Sequence, residues 1–340
     1  MKFKKLLVLC VLLGVLLILA VVKNAVRKKN EAPTPLKSES LFALTKELPE
    51  GFISKIVVYK GDDEKNKLTL AKDTLNNWIL EEKFGLKARK EMVEALLKDA
   101  AGLEGEVRGD SRSVWNDFGI TDQQGVHVIF ESHGPNPLAH LVVSFTKPAW
   151  NSNFVRLFDS EKVVLVDKDI LSRLNLYAQD AKLDANTFAD YKMLSLEAKD
   201  VTRFEIARGS ESPVVFVKKE GENNAAATWR LEADGRKEID TAQVDTYLQF
   251  AANTYGQECF DRKASVYGLD KPSLKLSFFI KGAAPPLELV VGTYLEAQKA
   301  FYAKATPGGL VYRVPEASVT NLKKDKSFFF KISPNASKKR

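Results

Sequence analysis

The sequence predicts an α+β fold: two tandem copies of a unit in which an antiparallel β-sheet packs on a helix, preceded by one transmembrane helix. Three observations carry this reading. Leu6 to Val22 is an unbroken apolar run of 17 residues between lysines. The chain matches itself at an offset of about 150 residues, the signature of an internal repeat. Strand-like segments come in runs joined by hairpin-length connections, which excludes a doubly wound nucleotide-binding sheet, where strands and helices alternate.

Residues 1–5 form a basic start, expected in the cytoplasm, and residues 6–22 the anchor. At 1.5 Å per residue the run is about 26 Å long, the lower limit of a membrane span, and Lys5 and Lys23 extend its reach by snorkelling. A cleaved signal peptide shares the basic start, but this run is longer than a usual signal core and no A-x-A-like site follows it. A lipoprotein signal on Cys10 lacks the small residues expected before the cysteine, since Leu7-Val8-Leu9 stands there; Cys10 reads as a small apolar helix residue. Basic residues flank the run almost equally, so charge alone leaves orientation open. Residues 23–51, with Pro33 and Pro35, read as a juxtamembrane linker, and the folded part is expected from Phe52.

The net charge of +7 is confined to this end. Residues 1–29 hold seven basic side chains and no acid, leaving 44 basic and 44 acidic residues beyond them. A neutral outer domain argues against a nucleic-acid partner.

The first repeat is predicted over 52–196 and the second over 197–332, with a basic tail at 333–340. Each opens on alternating strands, Ile53 to Tyr59 and Val201 to Ile206, followed by Lys67 to Lys72 and Val214 to Lys219. A Trp-centred strand comes next, around Trp78 and Trp229, and such matched aromatics read as core anchors. An amphipathic helix follows, Ala88 to Leu103 with Met92, Leu96 and Leu97 on one face, and Thr241 to Thr254 with Asp240 as its N-cap. Phe118-Gly119-Ile120 and Tyr267-Gly268-Leu269 mark tight turns. Hairpins with one buried face resume: Val126, Val128 and Phe130 opposite Leu141, Val143 and Phe145, then Leu274, Leu276, Phe278 and Ile280 opposite Leu287, Leu289 and Val291. Two short strands and a brief helix close each copy, Asn153 to Leu174 and Ala300 to Leu322. The transition segments Asp190 to Leu196 and Asp325 to Phe330 follow.

No phosphate loop, His-Glu-x-x-His, nucleophile elbow or Cys-x-x-Cys is present, so no catalytic, cofactor or metal residues are assigned. His127, His133 and His140 fall within 14 residues; pairing of Val128 with Leu141 would put His127 and His140 on the face opposite the core, and they read as solvent-facing rather than as a metal site. Asp110, Asp117, Asp261 and Asp270 read as loop acids. Cys259 is the single thiol of the outer domain, which excludes a disulfide or paired-cysteine zinc site there. Trp115 and Trp150 have no counterpart in the other copy and are the candidate partner surface.

The anchor, the duplicated unit, the Trp strands, Tyr267-Gly-Leu-Asp-Lys-Pro272 and Asp190-Tyr-Lys-Met-Leu194 together resemble the bacterial domain of unknown function 4340 family from about residue 52 to 330. In the first copy Ile120-Thr-Asp-Gln123 replaces Leu269-Asp-Lys-Pro272. The resemblance implies a protein encoded beside gliding-motility-type ABC transporters, with the repeat domain outside the cytoplasmic membrane, and supplies no catalytic residues. The function expected is a non-catalytic, single-pass accessory or scaffold protein of the inner membrane, with ABC transporter permease or auxiliary subunits as partners. The alternative is a module binding an envelope glycan, lipid or peptide in the cleft between repeats.

Overall fold

The computed structural model describes residues 42–43, 45, 48–221, 226–261 and 264–331. The basic start, the anchor at 6–22, most of the linker and the tail at 333–340 lie outside the described residues. No helix among the described residues is long and apolar enough to cross a membrane.

The first unit contains β1 (Phe42–Ala43), β2 (Lys55–Lys60), β3 (Leu68–Lys72), β4 (Trp78–Leu80), β5 (Leu86–Lys87), α1 (Lys90–Ala100), β6 (Glu104–Gly109), β7 (Val126–Glu131), β8 (Pro137–Val143), β9 (Asn153–Leu157), β10 (Val163–Val166) and α2 (Ile170–Arg173). The second contains β11 (Val201–Ala207), β12 (Val214–Lys219), β13 (Thr228–Leu231), α3 (Thr241–Ala252), β14 (Glu258–Phe260), β15 (Leu274–Ile280), β16 (Leu287–Leu295), β17 (Ala300–Thr306), β18 (Val311–Pro315) and α4 (Glu316–Leu322). The fold is α+β with two antiparallel sheets in a repeat-like arrangement. One sheet runs β4-β3-β2-β7-β8-β9-β10-β6 and the other β13-β12-β11-β15-β16-β17-β18-β14, a strand-for-strand correspondence to which the first adds β5 and β1 at its ends.

Alternation explains the registers. Val128 pairs with Leu141 and Leu276 with Leu289, so the apolar positions of each hairpin fall on one face. That face packs on a helix: Val93, Leu96, Leu97 and Ala100 of α1 are buried against the first sheet, and Val244, Tyr247, Leu248 and Ala251 of α3 against the second. Trp78 and Trp229 are buried in the two cores. The second core is aromatic, with Phe204 stacked on Phe216 at 4.6 Å, and the Tyr247 hydroxyl donates to Leu322 O at 3.0 Å. Gly119 and Gly268 hold φ of +62° and +67°, and a Cβ at Gly268 would stand 2.3 Å from Thr293 Oγ1.

Several expectations need correction. The fold begins before Phe52: β1 pairs with β6, the Thr45 hydroxyl donates to Ala100 O at 2.7 Å, and Leu48 is buried in the first core. Each helix is followed by an additional strand, β6 or β14, which returns to pair with the last strand of its unit, β10 or β18. Both helices are shorter than predicted, and Ala88 forms a β-bridge to Ala189 instead of a helical turn. The counterpart of Asp325 to Phe330 is Asp184 to Ala189. Arg89 N donates to Phe188 O as Asp240 N donates to Phe329 O, and Ala88↔Ala189 corresponds to Ile239↔Phe330.

The two units share packed residues. Cys259 and Leu310 of the second belong to the first core, and the Cys259 thiol contacts Lys83 O at 3.5 Å. Met193 N donates to Thr254 O at 3.0 Å and Gly256 N to Tyr191 O at 2.9 Å. On the side of the first unit the Cys259 contact falls at Lys83. The matching residue of the second unit is Asp234, which pairs with Arg236 at 3.4 Å.

Candidate functional site: the outer face of the first sheet

The face of β7 to β10 turned away from α1 carries His127, His140, Val142, Phe154, Arg156, Val163 and Leu165. The connection from β6 to β7 lies across it, packing Ile120, Phe118 and Trp115 on Val142, Phe154 and Val163. The hairpin expected to bury one face therefore buries two, and its polar residues are satisfied by the covering segment.

Arg156 is fully buried at the centre. Its Nε donates to Ile120 O at 3.0 Å, Nη1 donates to Leu157 O and Phe158 O at 3.2 and 3.0 Å, and Nη2 pairs with the Asp122 carboxylate. The Trp115 ring covers the guanidinium, 3.9 Å from its centroid, and Trp115 Nε1 donates to Glu161 O at 2.9 Å. Sequence reasoning missed Arg156 and Asp122. The one signal was an arginine at an alternate position of an otherwise apolar strand.

His127 and His140 do share this face, but His127 is only 2% exposed and His140 half-buried, so the expectation of solvent-facing histidines fails at His127. His127 stacks on Tyr59 and His140 on Phe158, with centroids 4.4 and 4.2 Å apart. His127 Nδ1 lies 2.9 Å from His140 Nε2, and His127 Nε2 lies 2.9 Å from Asp122 O. A carbonyl only accepts, so His127 Nε2 carries the proton; its Nδ1 accepts from His140 Nε2, and His140 keeps its lone pair at Nδ1. Burial lowers the affinity of both rings for a further proton, and His140, facing His127 and Arg156 as well, is pushed down to about 4. His133 is exposed in the β7–β8 turn, apart from the pair. Among the described residues no cluster of His, Cys, Asp and Glu is arranged to hold a metal ion.

Trp115 and Trp150 stand in different settings. Trp115 is half-buried over Arg156, whereas Trp150 is 93% exposed in the β8–β9 connection. That connection is braced: Ser152 Oγ donates to Ala149 O at 2.9 Å, Asn151 Nδ2 donates to Asp167 O at 3.1 Å, and Lys147 pairs with Asp169 at 2.5 Å. Beside it runs an open groove of about 460 Å³ over Leu165 and Val166, edged by Glu104, Glu106, Arg108, Asn151 and Asp167. Asp110, Asp117 and Asp270 are exposed loop acids, while Asp261 interacts with Tyr267. The groove at the junction of the units, about 600 Å³, is open and edged by Lys72, Lys87, Arg89, Glu91, Glu94 and Asp190, a charged rim in place of an apolar cavity.

No curated protein and no solved structure matches this chain. One family description does: residues 78–257, more than half of the 340, match the domain of unknown function DUF4340, a span from the first Trp strand to the start of β14. With both Trp strands and the helices α1 and α3 inside that match, the chain belongs to the DUF4340 family.

Proposed function

We propose that this chain is a non-catalytic accessory or scaffold protein of an ABC-type envelope transport complex, held in the cytoplasmic membrane by residues 6–22 with its two-sheet body outside. The observation that carries the reading is the junction: Cys259 and Leu310 of the second unit fill the core of the first, which makes one stiff body suited to presenting surfaces at a fixed separation. The apolar run with its basic flanks supports the anchor, and the gene neighbourhood implied by the family supports the transporter. The groove at the junction has a charged rim, which supports the scaffold reading over a ligand cleft.

The test is a crosslinked pull-down of the full-length protein from detergent, with a form lacking residues 1–29 as control. Transporter subunits recovered only with the anchored form are the expected result. Recovery of envelope glycans or lipids with no protein partner overturns the scaffold reading.

A further inference from the structure

We propose that the groove beside Trp150 is a saccharide-binding site that takes neutral or amino sugars. An indole buries more apolar surface than almost any side chain and ordinarily packs inward, yet Trp150 is 93% exposed. Its connection is not loose. Ser152 Oγ closes it on Ala149, Asn151 ties it to Asp167 O, and the Lys147–Asp169 ion pair braces its base. The chain thus holds an indole open to solvent on a braced connection whose other residues, Pro148, Ala149, Asn151 and Ser152, line the groove, with Trp150 at its margin outside that lining.

The groove supplies the complementary chemistry. At about 460 Å³ it falls within the range of small-ligand sites. Glu104 and Asp167 line it with carboxylates that can accept from neighbouring hydroxyls, Arg108 is paired with Glu106 at 2.5 Å, and Asn151, whose Nδ2 donates to Asp167 O, adds an amide oxygen. A pyranose ring has one face of C–H bonds, weakly positive, which stacks on the negative face of an indole, and an edge of hydroxyls left for the groove. Three carboxylates against one guanidinium make the groove acidic, so polyanionic glycans and anionic lipid head groups are repelled while neutral and amino sugars are accepted. A protein partner is disfavoured by the same rim, because the centre of such interfaces is depleted in acids and apolar around its aromatic anchor.

The site is independent of the transporter reading, and its test needs no partner. Full-length protein in detergent is titrated with chitotetraose, its de-acetylated amino form and a heparin tetrasaccharide, with binding read by calorimetry and tryptophan fluorescence. The first two are expected to bind and the heparin fragment not. Trp150→Ala, at an exposed position, should keep the thermal midpoint and weaken binding at least tenfold, about 1.4 kcal/mol. Asp167→Asn should reduce the preference for the amino sugar. Absence of binding by both non-anionic tetrasaccharides overturns the proposal, as does equal binding by Trp150→Ala. Loss of a protein partner or of vesicle binding in Trp150→Ala, with no saccharide binding in the native protein, reassigns the groove to that partner and also overturns it.

Discussion

At the outer face of the first sheet, two imidazoles are kept neutral chiefly by burial. His140 titrates near 6.5 in an unfolded chain and at about 4 here, chiefly because it is buried. Between those values the unfolded chain binds more protons. The stabilisation is therefore complete above pH 6.5 and is lost as pH falls toward 4, by on the order of 3 kcal/mol. His140→Gln keeps a donor and an acceptor but has no proton to take up. Its thermal midpoint should be flatter than the native one between pH 6.5 and 4, and two parallel curves would refute the assignment. The alternation in Val126 to Phe130 placed both histidines on the right face, but their burial was not legible. It depends on Ile120 and Phe118, which lie in an irregular connection where no periodicity marks a residue as inward.

Among the elements, legibility followed amphipathicity. β2, β11, β12, β13 and the two hairpins stand close to where alternation put them, and Asp240 caps α3 by accepting from Ala242 N and Gln243 N at 3.0 and 3.4 Å. Asp240→Ala should cost about 1 kcal/mol, measured as a lowered urea midpoint at unchanged slope. The first helix shows no such side-chain cap at Arg89, so Arg89→Ala should not reproduce this effect through capping. What escaped notice were β6 and β14. Glu104-Gly-Glu-Val-Arg-Gly109 is polar and glycine-rich because much of it lies exposed near a sheet edge, and Glu258-Cys-Phe260 is too short to show a period. Only their partners, β10 and β18, define them as strands.

Across the whole molecule, the shared core couples the two units. Cys259 is 6% exposed, and burial pushes its thiol up, away from the reactive thiolate. In a Cys10→Ala background Cys259 is the only thiol in the chain. Its alkylation should be negligible in native buffer and should rise with urea along the same curve as circular dichroism, because opening the junction exposes both cores. Alkylation well before the circular-dichroism transition would mean that the units separate while each remains folded.

The repeat was visible from the matched tryptophans, helices and glycines, but the way one unit seats on the next was not. It is made by Lys83 O, Leu310 and the crossing at Tyr191 and Gly256, none of which stands out in the sequence. The counterpart of Lys83 to Ala88 in the second unit is Asp234 to Ile239. The seat is thus one-sided: Lys83 offers its carbonyl to Cys259 of the second unit, while its counterpart Asp234 pairs with Arg236 inside its own turn.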